Sequence, residues 1–280
     1  MMEKIEKEGK GAALVKEYPV LRFGPRGVKE DLDPVLAEAT LELYVDGTYG
    51  GTLTCMPEYL EEMILGKLYT EGRISSLRQV GEVKVSREQE RADVRLVAAR
   101  EQREEPGQKE LPEQREEPGR KELPGQREEP GQKELPGQMK PLPDLKICPE
   151  DVLALSEQLL SSSRIFTETG NVHCVMLCCG AAPLYICEDL DRYHAFEKAV
   201  GRALKDKVDF SRTAIYTTGR IPGTIARMAI RAGIPAIVSR SAPTDRTLEL
   251  AQQYNLTVIG FARRDRMNVY HWSLGPWNRL

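Results

Sequence analysis

The chain has 280 residues, 40% hydrophobic and 30% charged, with a formal net charge of −3. That length holds one large domain or two small ones, and so small a charge excludes the steering expected of a general nucleic-acid or membrane-surface binder. No run of about 18 apolar residues is available for a transmembrane helix, and Met1 to Lys7 lack the apolar core of a signal peptide, so the expected location is the cytoplasm, with six cysteines as free thiols.

Residues 1–36 are mixed and polar and are expected to be poorly ordered. Residues 37–100 read as an α+β region. Thr40–Val45 alternates apolar and polar side chains, and Asp46-Gly47 signals a hairpin into a strand over Gly51–Cys55. Pro57 opens a helix with Leu60, Met63, Ile64 and Leu68 on one face and Gly72 at its end. Glu82–Val85 and Ala92–Ala98 are a second pair of strands.

Residues 101–143 are a linker. Within it, 101–136 are three copies of a twelve-residue unit, EQREEPGQKELP and its near-repeats, with eleven Glu against seven Lys and Arg and no aromatic or β-branched residue. Such a composition cannot bury enough apolar surface to offset its ordering entropy, so disorder is expected rather than a solenoid.

Residues 144–280 read as an α/β domain. Pro149 starts a helix with Val152, Leu155, Leu159 and Leu160 apolar. Val172–Cys179 and Pro183–Cys187 are partner strands, and Ala195, Phe196, Ala199, Val200, Ala203 and Leu204 mark a helix. Three strands, Thr213–Thr217, Ala236–Ser239 and Leu256–Phe261, then alternate with helices over Gly223–Ala232 and Asp245–Tyr254. This alternation implies parallel pairing through right-handed crossovers. Asn268–Trp272 adds a last strand.

Ligands of open parallel sheets bind beyond the carboxyl ends of the strands. The three ends here carry Thr217-Thr218-Gly219-Arg220, then Ser239-Arg240-Ser241, then Phe261-Ala262-Arg263-Arg264-Asp265-Arg266. Hydroxyls, backbone amides and guanidinium forks are the donors that hold phosphate. A phosphate- or nucleotide-bearing ligand is expected, against the plainer reading of solvated loops with surface arginines.

The group His173, Cys174, Cys178, Cys179 and Cys187 admits three readings: buried thiols, a metal site, or a reactive thiol. Strand alternation puts Cys174 and Cys178 on one face and His173 and Cys179 on the other, and no Cys-x-x-Cys occurs. Small thiols buried in a core strand are the default for this residue type. If one thiol is reactive, Cys174 is the candidate, because it adjoins His173 and follows a glycine-containing turn.

Several segments together resemble one family. Pro57-x-x-Leu60 with Leu65-Gly66 and Glu71-Gly72, Phe166-x-x-Thr169-Gly170-x-x-His173, Glu188-Asp189-Leu190-Asp191-Arg192-Tyr193 and Glu197-Lys198 with Gly201 are similar to motifs of the FdhD family. So are Ala232-Gly233-Ile234-Pro235, Ser241-Ala242-Pro243-Thr244 and Asn255 to Phe261. The resemblance runs from about residue 36 to 272, outside the repeats. It implies a cytidine-deaminase-like three-layer α/β/α domain with a smaller N-terminal α+β domain, a homodimer, and no zinc. It also implies a sulfur carrier that matures formate dehydrogenase, taking sulfur from a cysteine desulfurase to the molybdenum bis(molybdopterin guanine dinucleotide) cofactor. Residues implied to contact that cofactor are His173, Asp189, Arg192, Arg220, Ser241 and the loop Phe261, Ala262, Arg263, Arg264, Asp265 and Arg266. The sequence departs from the family in three places: the repeats stand where the family has its Cys-Gly-x-Cys loop, Asp191-Arg192-Tyr193 replaces Gly-Arg-His and puts His194 one position late, and Thr218-Gly219-Arg220 replaces Ser-x-Arg. The alternative implied by the loss of the Cys-Gly-x-Cys loop is a cofactor-binding chaperone without persulfide chemistry.

Overall fold

The structure is a computed structural model that describes residues 14–97 and 140–274. The expectation for residues 101–139 lies outside the described residues. Residues 140–143, assigned above to the linker, include an anchored leucine: Leu142 is buried, its N–H donates to the Tyr254 carbonyl, and Asn255 Nδ2 donates to its carbonyl.

Strands β1 (Val15–Gly24) and β2 (Gly27–Leu36) pair antiparallel over their full length. The expectation of poor order is thereby corrected for residues 15–36, while for residues 1–13 it lies outside the described residues. A turn at Pro25-Arg26 leads to Gly27 at φ 105°, and Arg22 pairs with Asp31 and Asp33 across the strands. Polarity that reads as loop along the sequence is here cross-strand charge pairing.

The next unit is a four-stranded sheet of β3 (Ala39–Val45), β4 (Thr48–Cys55), β5 (Val80–Ser86) and β6 (Arg91–Leu96), in the order β4-β3-β6-β5. Helix α1 (Leu60–Thr70) lies on it and buries Leu60, Met63, Ile64 and Leu68. The helix begins three residues after Pro57 because Tyr59 takes a left-handed conformation, φ 51°.

The C-terminal unit is a six-stranded sheet in the order β12-β11-β10-β9-β7-β8. Its strands are β7 (His173–Cys179), β8 (Ala182–Asp189), β9 (Thr213–Thr217), β10 (Ala236–Ser239), β11 (Thr257–Arg263) and β12 (Arg266–His271). The expected parallel core, β9-β10-β11, is flanked by antiparallel β7 and β12. Helix α2 (Pro149–Ser161) covers one face through Val152, Leu155 and Leu159, packed with Cys174, Met176 and Cys178. Helices α4 (Arg192–Lys205), α5 (Gly223–Ala232) and α6 (Asp245–Tyr254) cover the other. These are the three layers expected. A short helix, α3 (Arg164–Thr169), joins α2 to the sheet. Among the described residues no helix is long and apolar enough to cross a membrane.

The two units are joined by a close helix crossing and a buried charge network. A Cβ on Gly66 of α1 would overlap the Glu197 carbonyl oxygen, and one on Gly201 of α4 would overlap that of Glu62. Beside this crossing Lys198 Nζ lies 2.6 Å from Asp189 Oδ2, with both side chains fully buried. Asp189 also accepts from the N–H of Met56 (3.1 Å) and of Asp191 (3.1 Å), while Lys198 donates to the Met56 carbonyl (3.3 Å).

Candidate anion-binding site

Because β7 runs opposite to β9, its first residue, His173, stands at the same edge as the carboxyl ends of β9, β10 and β11. There Thr218 and Cys174 exchange hydrogen bonds, the Cys174 N–H to Thr218 Oγ1 (3.0 Å) and the Thr218 N–H to the Cys174 carbonyl (3.0 Å). Around this edge lies a cavity of about 480 Å³ whose lining includes Phe166, His173, Leu190, Thr218, Arg240 and Arg263.

The loops that frame it are tied to one another. Ser239 Oγ donates to the Gly219 carbonyl (2.6 Å) and accepts from the Ser241 N–H (2.8 Å). Arg263 Nε donates to the Arg240 carbonyl (2.6 Å). Glu157 on α2 accepts from Arg240 Nη1 (2.7 Å) and from the Arg264 N–H (2.8 Å), which helps fix the left-handed backbone of Arg264, φ 54°. One carboxylate thus holds the β10 and β11 loops against the helix layer.

The site is cationic. Arg240 and Arg263 are on its wall, and Arg192 stands behind His173, its Cβ at 3.3 Å from the position of a Cβ on Gly219. Arg192 Nε is buried without a hydrogen-bond partner. Burial, then the charges of Arg192 and Arg220, hold the His173 imidazole below its ordinary pKa, so it is neutral near pH 7. A neutral imidazole beside guanidinium groups, one with an unsatisfied buried N–H, suits an anionic ligand that also offers ring edges.

The structure sorts the residues expected from the sequence. His173 and Arg263 line the cavity, and Arg192 and Arg220 flank it. Ser241 fixes the loop through its backbone, accepting from the Phe261 N–H as well as donating to Ser239. Arg264, Asp265 and Arg266 are exposed at the β11–β12 turn and do not reach the wall, and Phe261 is partly buried away from it. Ala262 is fully buried in the core under α2. Asp189 stands apart from the cavity wall. Its carboxylate meets Lys198 and the Met56 and Asp191 amides at the joint between the two units. Its neighbour Glu188 accepts from the Ser163 hydroxyl and from the N–H groups of Ile165 and Phe166 (3.1 Å for Phe166), and so anchors α3 where Phe166 meets the cavity.

Cys174 does not fit a reactive thiol. It is fully buried, and burial, then the Glu188 charge, push its thiol up to about 12. Cys178 and Cys55 are likewise pushed to about 12, and Cys187 to about 11, by burial. Cys148, at the start of α2, is the exposed cysteine, and its Sγ donates to Glu150 Oε2 (2.7 Å). Phe166 and Arg240 are wall residues that the sequence reading left out of its site, although both stood in segments it singled out.

Fold and cavity together define an α/β protein with an arginine-walled cavity at the carboxyl ends of its parallel strands. The chain belongs to the FdhD/NarQ family, whose model matches residues 36–273. It is similar to the sulfur carrier protein FdhD of Listeria innocua, 30% identical over 257 residues that cover 92% of this chain and 97% of the relative. The protein of that name from Bacillus subtilis is 27% identical, covering 90% of this chain and 93% of its own. The fold is shared with a crystal structure of a putative formate dehydrogenase accessory protein from Desulfotalea psychrophila. The TM-score is 0.72 at 23% identity, covering 92% of this chain and 97% of that one.

Proposed function

We propose that this protein assists the maturation of formate dehydrogenase in the cytoplasm, holding the guanine-dinucleotide molybdenum cofactor, as its substrate, in the strand-end cavity. The observation that carries this reading is a cavity walled by His173, Arg240 and Arg263, with the unpartnered buried Nε of Arg192 close behind it. A pyrophosphate supplies the acceptors such guanidinium groups lack. Phe166, on a helix tied down by Glu188, offers an apolar face to a flat ring. Formate dehydrogenase, a cysteine desulfurase and a second copy of this chain are the partners of this reading.

In it the protein binds the dinucleotide end and presents the other end for sulfur insertion. A thiolate that receives sulfane sulfur from a desulfurase persulfide, releasing the desulfurase thiolate, is the carrier chemistry. The missing Cys-Gly-x-Cys and the burial of Cys174 favour a second reading, a chaperone that binds the cofactor without carrying sulfur.

GDP binding by calorimetry tests the site. Wild type is expected to bind, and Arg192→Ala and Arg263→Ala are each expected to weaken binding at least 10-fold; wild type that does not bind GDP refutes the cavity assignment. Incubation with a cysteine desulfurase and cysteine, followed by mass analysis, separates the two readings. A gain of one sulfur atom, removable by reductant, marks a carrier, and no gain marks the chaperone.

A further inference from the structure

The hydrogen bonds behind the cavity wall close into a ring. Glu157 Oε1 on α2 accepts from Arg240 Nη1 (2.7 Å) and from the Arg264 N–H (2.8 Å), and the Ser156 carbonyl accepts from the same Arg240 nitrogen (2.9 Å). The Arg240 carbonyl accepts in turn from Arg263 Nε (2.6 Å), and Arg263 leads through the chain back to Arg264. Each wall guanidinium is thus tied by one nitrogen, Nη1 of Arg240 and Nε of Arg263. Among the described residues, their other nitrogens have no hydrogen-bond acceptor. Glu157 does not itself line the cavity. Its bonds to Arg240 and to the Arg264 N–H hold its carboxyl below the ordinary value, so at neutral pH it is an anion that only accepts. Its side chain is 47% exposed, against 14% for Arg240. An ion pair so open to water adds little to stability, which leaves geometry as what the ring supplies. A loose arginine loses rotamer freedom each time it binds, and a guanidinium already fixed does not.

We propose that Glu157 is a positioning residue of this site: acting mainly through Arg240, it fixes two guanidinium forks relative to one another and so makes the cavity select a diphosphate over a single phosphate. The proposal rests on the cavity assignment of the proposed function and adds which part of the ligand the two wall arginines take. The two forks stand at the ends of adjacent parallel strands, β10 and β11. One phosphate fills one fork in bidentate fashion, and the second fork is left for a second phosphate. Without Glu157, Arg240 keeps its charge but loses the acceptor that aims it, and the β11 turn loses its tie to α2.

Calorimetry of the full chain with GDP, GMP and inorganic pyrophosphate tests it, on wild type, Glu157→Ala and Glu157→Gln. Both variants remove the same charge, but only Gln leaves an acceptor oxygen for Arg240 Nη1 and the Arg264 N–H. Glu157→Ala is expected to bind GDP and pyrophosphate about 10-fold more weakly, the size set by re-ordering one long side chain. Its loss for GMP is expected to be smaller, so the preference for GDP over GMP falls, and its urea midpoint is expected to stay at the wild-type value. Glu157→Gln is expected to bind GDP within about 3-fold of wild type. In an Arg240→Ala background the loss from Glu157→Ala is expected to shrink below about 3-fold, because the guanidinium it aims is gone. Equal losses from Ala and Gln overturn the proposal, since the charge and not the acceptor then matters. Tighter binding by both variants also overturns it, making Glu157 a competitor of the phosphate. So does a loss that is equal for GDP and GMP, or one that follows a fall in the urea midpoint. Wild type that binds neither GDP nor pyrophosphate ends the cavity assignment and this proposal together. Wild type that binds both, with Glu157→Ala unaltered, ends this proposal alone.

Discussion

The buried carboxyl of Glu197 makes the joint between the two units sensitive to pH. Glu197 lies on α4 with 3% of its surface exposed, and its Oε2 has no hydrogen-bond partner. Lys67 of α1 is 3.7 Å from Oε1, and His194 Nε2 is 4.0 Å from Oε2. Burial pushes the carboxyl from 4.5 up to about 7; Lys67 and His194 oppose the rise, while the charges of Glu71 and Asp191 add to it. An acid whose folded pKa is raised favours the folded state fully below its unfolded pKa, and that favour is lost as pH rises through the folded value. The window is therefore pH 4.5 to about 7, and at 1.36 kcal/mol per pH unit the loss is about 3 kcal/mol. Glu197→Gln keeps the shape and removes the ionisation. It is expected to be more stable than wild type at pH 8, by about 2–3 kcal/mol, and to match it near pH 4.5. Urea unfolding at intervals between pH 4.5 and 8 measures this. His194, which Asp189 and Glu197 hold above its ordinary pKa against burial, loses the Glu197 part of that support in Glu197→Gln, so the difference between the profiles reports Glu197 together with its coupling to His194. Parallel profiles would refute the argument.

Asp189→Asn leaves the Lys198 ammonium buried and unpaired, and is expected to cost about 3–5 kcal/mol in urea unfolding at pH 7; a cost under about 1 kcal/mol would show that the pair does not hold the units together. Gly66→Ala, which in an exposed helix would gain about 1 kcal/mol, is instead expected to cost about 1–3 kcal/mol, because the new methyl overlaps the Glu197 carbonyl. Its thermal midpoint against wild type decides the sign. In native protein an aromatic disulfide reagent is expected to label Cys148 at once and Cys179 slowly, with Cys55, Cys174, Cys178 and Cys187 reacting only after unfolding. Cys148→Ser removes the fast phase, and rapid labelling of Cys174 would contradict its burial.

Much of the fold is legible in the sequence because periodicity is local. The helices over Gly223–Ala232 and Asp245–Tyr254, and the strands over Thr213–Thr217 and Ala236–Ser239, are where the apolar pattern puts them. The β1–β2 hairpin is not legible in this way. Its defining contacts are Arg22 with Asp31 and Asp33, nine and eleven residues away, and its apolar face has no core beneath it to impose alternation against. The left-handed Tyr59 that delays α1 carries no sequence signal, since an aromatic residue rarely takes that conformation.

The site shows why a motif's charge does not state its role. Glu188, Asp189, Arg192, Glu197 and Lys198 lie close together in the chain and invite a single ligand. The structure sends them to different tasks, because their partners are remote: Met56 lies 133 residues from Asp189 and 142 from Lys198. A buried Lys–Asp pair is a weak source of stability, since desolvation offsets most of its attraction. Its value is in register, as it closes only when the Met56 backbone sits between the units. Glu188 then anchors α3, and with it Phe166, while Asp189 holds the Asp191 amide at the start of α4, from which Arg192 projects beside His173. Of the charged residues in this stretch, Arg192 comes nearest the cavity, behind His173, and the others act through the positions they impose on their neighbours. A change at Asp189 should therefore weaken GDP binding in step with the stability of the joint, whereas a change at Arg192 should weaken it with the urea midpoint unmoved. Equal losses of binding without any change in stability from Asp189→Asn would return that carboxylate to the ligand.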